Sequence, residues 1–326
     1  MKRIFVLLFS GLLFWGCVSE KKETNNTSKT KLNVIYVTGI SDKEAIFEAK
    51  EIFSEKFDLN IVTFAECYDA FESLKDSAFT PDIFMGLDNT FYSKAINDSL
   101  FLQHIPNNVR LSANEPEVYK DTLIPYAYSW LAFNYDEMVI DEVPDTFGKM
   151  QDGIRKDSFI ILNPETTSLG RAMLISSVRS FGINGYGHFW KSIKSNVFTV
   201  CNTTEEAINM FLAMEAPIVL GLSTADFLGG SRKAFIPKEG GVRFVKSMAI
   251  FNQSMNIDGA KDFMEIVLAE RYQTEIMKNE MLFPMNKNVD LTSGFITSPV
   301  PIKELNSKYS ETEFAKRLRR WKQIIN

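Results

Sequence analysis

Histidine is almost absent from this chain. Its 326 residues contain two, His104 and His188. His104 precedes a proline in a polar loop, and His188 lies in "GYGHFW", which reads as packing. A Ser-His-Asp site therefore has little to build on, and no G-x-S-x-G, H-E-x-x-H or phosphate-loop pattern is present. No His/Cys cluster has metal-ligand spacing, so neither a metal nor a cofactor is expected, and the chain reads as a non-enzyme. Cysteine is scarce too, at Cys17, Cys67 and Cys201. Two cysteines as far apart as Cys67 and Cys201 make no disulfide framework, and both are expected to be free thiols. No basic patch interleaved with aromatics exists, so nucleic acid is not an expected partner. After residue 14 no segment is long and apolar enough to span a bilayer.

What is present begins with "MKRIFVLLFSGLLFWGC". Lys2 and Arg3 precede an apolar run, Ile4 to Phe14, of signal-peptide length, followed by small Gly16 and Cys17. This order resembles a bacterial lipoprotein signal, with Phe14 where leucine is usual, and it implies lipidation at Cys17. A cysteine of a packed core would not sit between an export signal and the polar tract "VSEKKETNNTSKTK". Residues 1–16 are read as signal peptide and 17–31 as a lipidated, flexible tether. Loss of Lys2 and Arg3 takes the net charge from −5 to −7. The remainder is expected at the periplasmic or cell-surface face, anchored to the membrane by lipid.

The residues beyond the tether alternate between strand and helix patterns. "LNVIYVTG", "LNIVTFAE" and "PDIFMGLD" read as strands. Between and after them, "SDKEAIFEAKEIFSEKF", "CYDAFESLKDS" and "TFYSKAIND" read as helices. This β-α-β-α-β order implies parallel strands with helices on the sheet faces. "IPYAYSWLAFNYD" is an aromatic strand. A second series follows: strand "SFIILN", a loop and helix over "TTSLGRAMLISSVRSFG", helix "FWKSIKSN", strand "VFTVC", helix "TTEEAINMFLAME" and strand "APIVLGLST". "GGVRFVKSMAIFNQ" reads as a long strand and the tail as helical. The expected architecture is two α/β lobes: lobe 1 from 32–125, lobe 2 from 126–246, and a return to lobe 1 over 247–326. Strand-rich crossings lie at "PYAYSWLAF" and "RFVKSMAIF", and a ligand cleft lies between the lobes.

Two stretches carry chemistry. In "PDIFMGLDNT" the apolar run ends at Gly86, Asp88 and Asn89. Ligands of open α/β sheets sit beyond the carboxyl ends of the strands, although a turn followed by a helix cap explains the same residues. In "NPETTSLGR", Thr166, Thr167 and Ser168 supply hydroxyls, and Gly170 allows close approach. A helix starting there would aim free N–H groups at an anion; a plain N-cap is the bland alternative. "GLSTADF" adds Ser223 and Thr224.

In order along the chain, "DIFMGLDNT", "IPYAYSWLAFNYD", "ILNPETTSLGRAML", "IVLGLSTADF" and "EMLFPM" resemble segments of the substrate-binding proteins of bacterial ABC importers, which have the type II periplasmic-binding-protein fold. The chain is most similar to the thiamine-binding branch, with ferric-iron binders as close relatives. The resemblance implies a monomer that captures thiamine or a thiamine phosphate by interlobe closure and delivers it to a permease driven by an ATPase. It implies a ligand site at Gly86, Asp88, Asn89, Thr166, Thr167, Ser168, Gly170, Ser223 and Thr224. Family aromatics are replaced here, as at Leu222 and Leu228, and a hinge acid is replaced by Ala127. Tyr126, Tyr128, Trp130, Phe227, Tyr68 and Tyr92 are the candidate replacements for the lost rings, with core packing as the alternative for each. Ferric iron or another anion or organophosphate is the alternative cargo, and a secreted hydrolase the more distant one. Iron binders of this type use tyrosine pairs, and no adjacent Tyr-Tyr pair occurs in the second half of the sequence.

The export reading gives a first test. Full-length protein expressed in bacteria with a radiolabelled or clickable fatty acid should incorporate label, and Cys17→Ser should abolish both label and membrane attachment. Membrane retention of Cys17→Ser would overturn the lipoprotein assignment.

Overall fold

The computed structural model describes residues 29–39, 51–75, 79–111, 119–152, 156–224, 229–239, 241–296, 305 and 309–325. The signal peptide, Cys17, nearly all of the tether and Phe227 lie outside the described residues, as does most of the helix expected over 41–57.

The first series folds as expected. Its described part comprises strands β1 (Thr30–Val37), β2 (Phe57–Phe64) and β3 (Ile83–Asp88), with helix α1 (Cys67–Ser73) between β2 and β3. They run parallel in the order β2-β1-β3. All six residues of β3 are buried, which is why this strand reads as an apolar run rather than an alternation. Helix α2 (Tyr92–Asn97) and the short β4 (Phe101–Leu102) follow.

β5 (Ile124–Asp136) is the pivotal element. Its 13 residues are nearly all buried. Residues 124–130 pair antiparallel with β10 (Arg243–Phe251), and residues 131–135 pair antiparallel with β8 (Ile218–Leu222). Beyond β5, helix α3 (Phe147–Asp152) leads to a second parallel set, β6 (Phe159–Leu162), β7 (Val197–Cys201) and β8, in the order β8-β6-β7. The helices expected over 166–182 and 189–196 form one element, α4 (Ser168–Ile193), broken at Gly182, whose φ of 73° and ψ of 172° are not helical. α5 (Thr204–Leu212) links β7 to β8. Strand β9 (Arg232–Phe235) was not anticipated; "RKAF" is short and charged, yet it pairs with residues 133–136 of β5. β10 then closes against β3, antiparallel.

The tail comprises α6 (Ile257–Leu268), α7 (Glu270–Glu275), a π-helical turn at Ile276–Glu280, the two-residue β11 (Phe283–Pro284) paired to β5, and α8 (Glu311–Ile325). Phe53, Phe57, Phe263 and Tyr272 form an aromatic cluster that seats the tail on the first strand set. Cys67 and Cys201 are free and buried. Among the described residues no helix is long and apolar enough to cross a membrane.

Gly86 shows why β3 ends as it does. The register of β10 shifts so that Ser247 faces Leu87 and Met248 faces Met85, leaving Gly86 as the extra residue of a bulge. Its φ is +87°, and a Cβ there would lie 2.3 Å from the Val37 carbonyl oxygen. The obstacle is backbone, so little can move aside. Gly86→Ala is therefore expected to destabilise the fold by about 2 kcal/mol or more. That should lower the thermal midpoint by about 4 °C or more; an unchanged midpoint would contradict this account.

Candidate functional site

The carboxyl ends of both parallel strand sets face one cavity, which encloses about 430 Å³ of free space, part of it open to solvent. One rim consists of Val37 and Gly39 after β1, Ala65 and Glu66 after β2, and Gly86 and Asp88 at the end of β3. The other consists of Ser168 and Leu169 at the start of α4, Thr204 at the start of α5, and Leu222 at the end of β8. Phe244 and Lys246 of β10, with Glu280 and Leu282, complete it.

Asp88 is 1% exposed. Its Oδ1 accepts hydrogen bonds from the Thr90 backbone N–H (2.8 Å) and the Thr90 hydroxyl (2.5 Å). Its Oδ2 is buried and has no hydrogen-bond partner among the described residues. Across the cavity the Ser168 hydroxyl is likewise buried without a partner. Unpaired buried polar atoms are costly, and of those among the described residues these two belong to residues that line the cavity.

Glu66 bridges the rims. Its Oε2 accepts the Ser168 backbone N–H at 2.8 Å and its Oε1 accepts the Thr204 hydroxyl at 2.7 Å. Burial pushes the Glu66 carboxyl up to about 7, with the nearby Asp88 charge adding to the rise and the two hydrogen bonds opposing it.

Below, Lys246 Nζ donates to the Thr38 carbonyl (2.8 Å) and lies 3.3 Å from Glu280 Oε2. Tyr36 donates its hydroxyl to Glu280 Oε1 at 2.6 Å, and burial followed by the Glu280 charge drives its phenol well above the usual range. The Lys246 and Glu280 side chains are each 5% exposed, so the pair survives burial only because each charge has a partner. Behind the rim, the Arg171 guanidinium lies between the Phe91 and Phe314 rings, at 4.4 and 3.8 Å from their centroids. It donates to the Thr90 carbonyl (3.1 Å) and to Glu311 (2.5 Å), tying α4, the turn after β3 and α8 together.

Of the residues expected at the site, Gly86, Asp88 and Ser168 line this cavity. The others are placed as follows. The Asn89 side chain donates to the Arg243 carbonyl and accepts the Val245 N–H, clipping β3 to β10. Thr166 donates to the Asn202 carbonyl. Thr167 is the N-cap of α4, accepting from Gly170 N–H. A Cβ at Gly170 would lie 2.5 Å from the Leu162 carbonyl oxygen, so this glycine serves helix-to-strand packing. Tyr126 is buried in the core, and Tyr128 is stacked on Phe283 at 5.0 Å. Ser223 is buried with its hydroxyl 3.5 Å from that of Ser129, and Thr224 is buried beside it. Glu66, Thr204, Lys246 and Glu280 were not anticipated. A signal existed for two of them: Glu66 follows a strand's carboxyl end, and Lys246 is a charge inside the apolar run "FVKSMAIF". Among the described residues no group of three or more His, Cys, Asp or Glu is placed to hold a metal ion.

Comparisons with known proteins bear on the fold and the family. Residues 79–299 match the family described as bacterial extracellular solute-binding protein. The chain is 25% identical over 308 residues to the thiamine-binding periplasmic protein of Brucella melitensis, covering 90% of each chain. A solved periplasmic thiamin binding protein superposes with a TM-score of 0.80 at 20% identity, over 91% of this chain and 97% of the other. A periplasmic binding protein of Actinobacillus pleuropneumoniae with fructose-6-phosphate bound gives 0.79 at 15% identity, over 91% and 99%. The fold is thus the type II periplasmic-binding-protein fold expected from the sequence, and the family's members bind solutes for transport rather than turn them over. With the family match spanning well over half of the sequence, this chain belongs to the bacterial extracellular solute-binding proteins.

Proposed function

We propose that the chain is the extracytoplasmic solute-binding lipoprotein of an ABC import system, and that it captures thiamine or a thiamine phosphate between two lobes. Asp88 carries this reading. Its Oδ2 is buried, unpartnered and at the cavity, and with Glu66 and Glu280 it makes three acids against the single cation Lys246 among the cavity-lining residues. A thiazolium ring bears a permanent positive charge, and an aminopyrimidine supplies N–H donors; both suit such a lining. The thiamine-binding periplasmic proteins among the relatives support the same cargo. Leu222, Phe244 and Leu282 offer apolar surface to the rings.

The lobes, 32–125 with 247–326 on one side and 126–246 on the other, hinge about the two crossing strands, β5 and β10. Ligand joins Asp88 on one rim to Ser168 on the other, binds the closed state better and so shifts the population toward closure. The closed monomer docks on a permease driven by an ATPase, held at the membrane through lipid on Cys17.

Thiamine at about 100 times its dissociation constant should raise stability by about 2.7 kcal/mol, visible as a thermal shift. Asp88→Asn, which keeps the Oδ1 contacts, should weaken binding about tenfold or more. Stabilisation by ferric citrate beside none by thiamine or its phosphates would discard the cargo while leaving the family assignment standing.

Closure itself should depend on pH. On this reading an open form would expose Glu66 and return its carboxyl toward the ordinary value of 4.5, whereas burial between the rims pushes it up to about 7. The closed state therefore holds the extra proton between these values. Its contribution to closure is full below the open value and is lost as pH rises through 7. Small-angle scattering of ligand-free protein should show expansion across this window, and Glu66→Gln should remove the dependence. A pH-independent radius in the native protein would overturn this linkage.

A further inference from the structure

Helix α4 runs 26 residues from Ser168, and its N-terminus opens on the cavity. Such a terminus attracts anions, but here the position is taken. Ser168 N–H donates to Glu66, and Gly170 N–H donates to the Thr167 cap. Thr204, at the start of α5, adds its hydroxyl to the same carboxylate. Glu66 reaches this point from the opposite rim, 102 residues away in sequence. The two nearby buried cations are also engaged, Lys246 by Glu280 and the Thr38 carbonyl, Arg171 by Glu311 and the Thr90 carbonyl. What is left open at the cavity is the Asp88 Oδ2 acceptor and the Ser168 hydroxyl.

We propose that Glu66 is a specificity-determining residue. It is a resident carboxylate that fills the anion position of the facing helix, so that the cavity selects an organic cation over counterparts bearing a phosphate tail. This rests on the reading of the cavity as the ligand site. A phosphate seated on α4 would have to displace Glu66 from both of its donors. It would then leave a buried carboxylate unsatisfied beside a second, multiply charged anion, with Asp88 close by. Like charges brought together in a buried site are strongly unfavourable, and specificity is commonly built from such repulsion. A cation with a neutral hydroxyl tail meets no such conflict: the Ser168 hydroxyl can serve its tail and Asp88 its charge.

Calorimetric titration tests this with three probes, thiamine, thiamine monophosphate and inorganic phosphate, on the native protein, Glu66→Gln and Glu66→Ala at mildly alkaline pH. The native protein should favour thiamine over its monophosphate by about tenfold or more, a difference of about 1.4 kcal/mol, and should not bind inorganic phosphate. Glu66→Ala should narrow or reverse that preference and gain phosphate binding. Glu66→Gln, which keeps an acceptor for Ser168 N–H but drops the charge, should fall between them, and it serves alone if the alanine variant does not fold. Native protein that binds the monophosphate as well as thiamine, or a ratio unmoved by both substitutions, overturns the proposal. If no thiamine form binds, the cargo reading fails by itself. The phosphate arm then decides: binding to a Glu66 variant but not to native protein supports the role of Glu66, and binding to both or to neither overturns it.

Discussion

A single strand belongs to both halves of the sheet, and the site depends on that. β5 hydrogen-bonds β10 through its first half and β8 through its second. Each half also carries a parallel set built by strand-helix-strand crossovers, whose shared handedness sends all carboxyl ends to one edge. With β5 common to the two, the edges face each other across the cavity. Asp88 ends a strand of one set, while Ser168 and Thr204 start the helices that follow two strands of the other.

Once the edges face each other, electrostatics constrains what they carry. Lys246 lies on β10, paired with Ala127 of β5 on one side and Asp88 of β3 on the other. A lone ammonium buried there would be costly without hydrogen-bonding or charged partners. The Thr38 carbonyl and Glu280 supply them, and Tyr36 satisfies the second oxygen of Glu280. Glu280 is presented by the π-helical turn, which ends at Met281 in the left-handed region with φ 52°. An irregular turn in the tail thus delivers a buried acid to a strand more than thirty residues earlier. With Lys246 neutralised in this way, Asp88 and Glu66 give the cavity its negative character.

The strand pattern was legible because doubly covered parallel strands must be apolar throughout: β3, β6 and β8 are buried at every residue. β9 was not, because four residues with two charges show no period, and pairing with β5 rather than propensity makes them a strand. The break in α4 was only half legible, since Gly182 can sit inside a helix or interrupt it. In the site, Asp88 and Gly86 were readable from the rule that ligands gather at strand ends. Glu66 follows the same rule on β2, yet its hydrogen-bond partner Ser168 lies on a helix 102 residues away, and local sequence does not contain that distance. Arg171 was hidden for the same reason: its partners Thr90 and Glu311 lie 81 residues before it and 140 after it.

The turn "NPETTSLGR" shows where residue type stops being informative. Three consecutive hydroxyls have three fates. Thr166 turns to the Asn202 carbonyl, Thr167 caps its own helix, and Ser168 alone faces the cavity. The same chemistry serves a cap and a ligand contact, so only geometry separates them. The helix end itself is satisfied from across the cavity by Glu66, a group that belongs to the other rim. An anion site completed in this way no longer needs an anion from the ligand. If Glu66 acts as proposed, the side chain that joins the rims also sets, in its ionised form, the sign of the charge they accept.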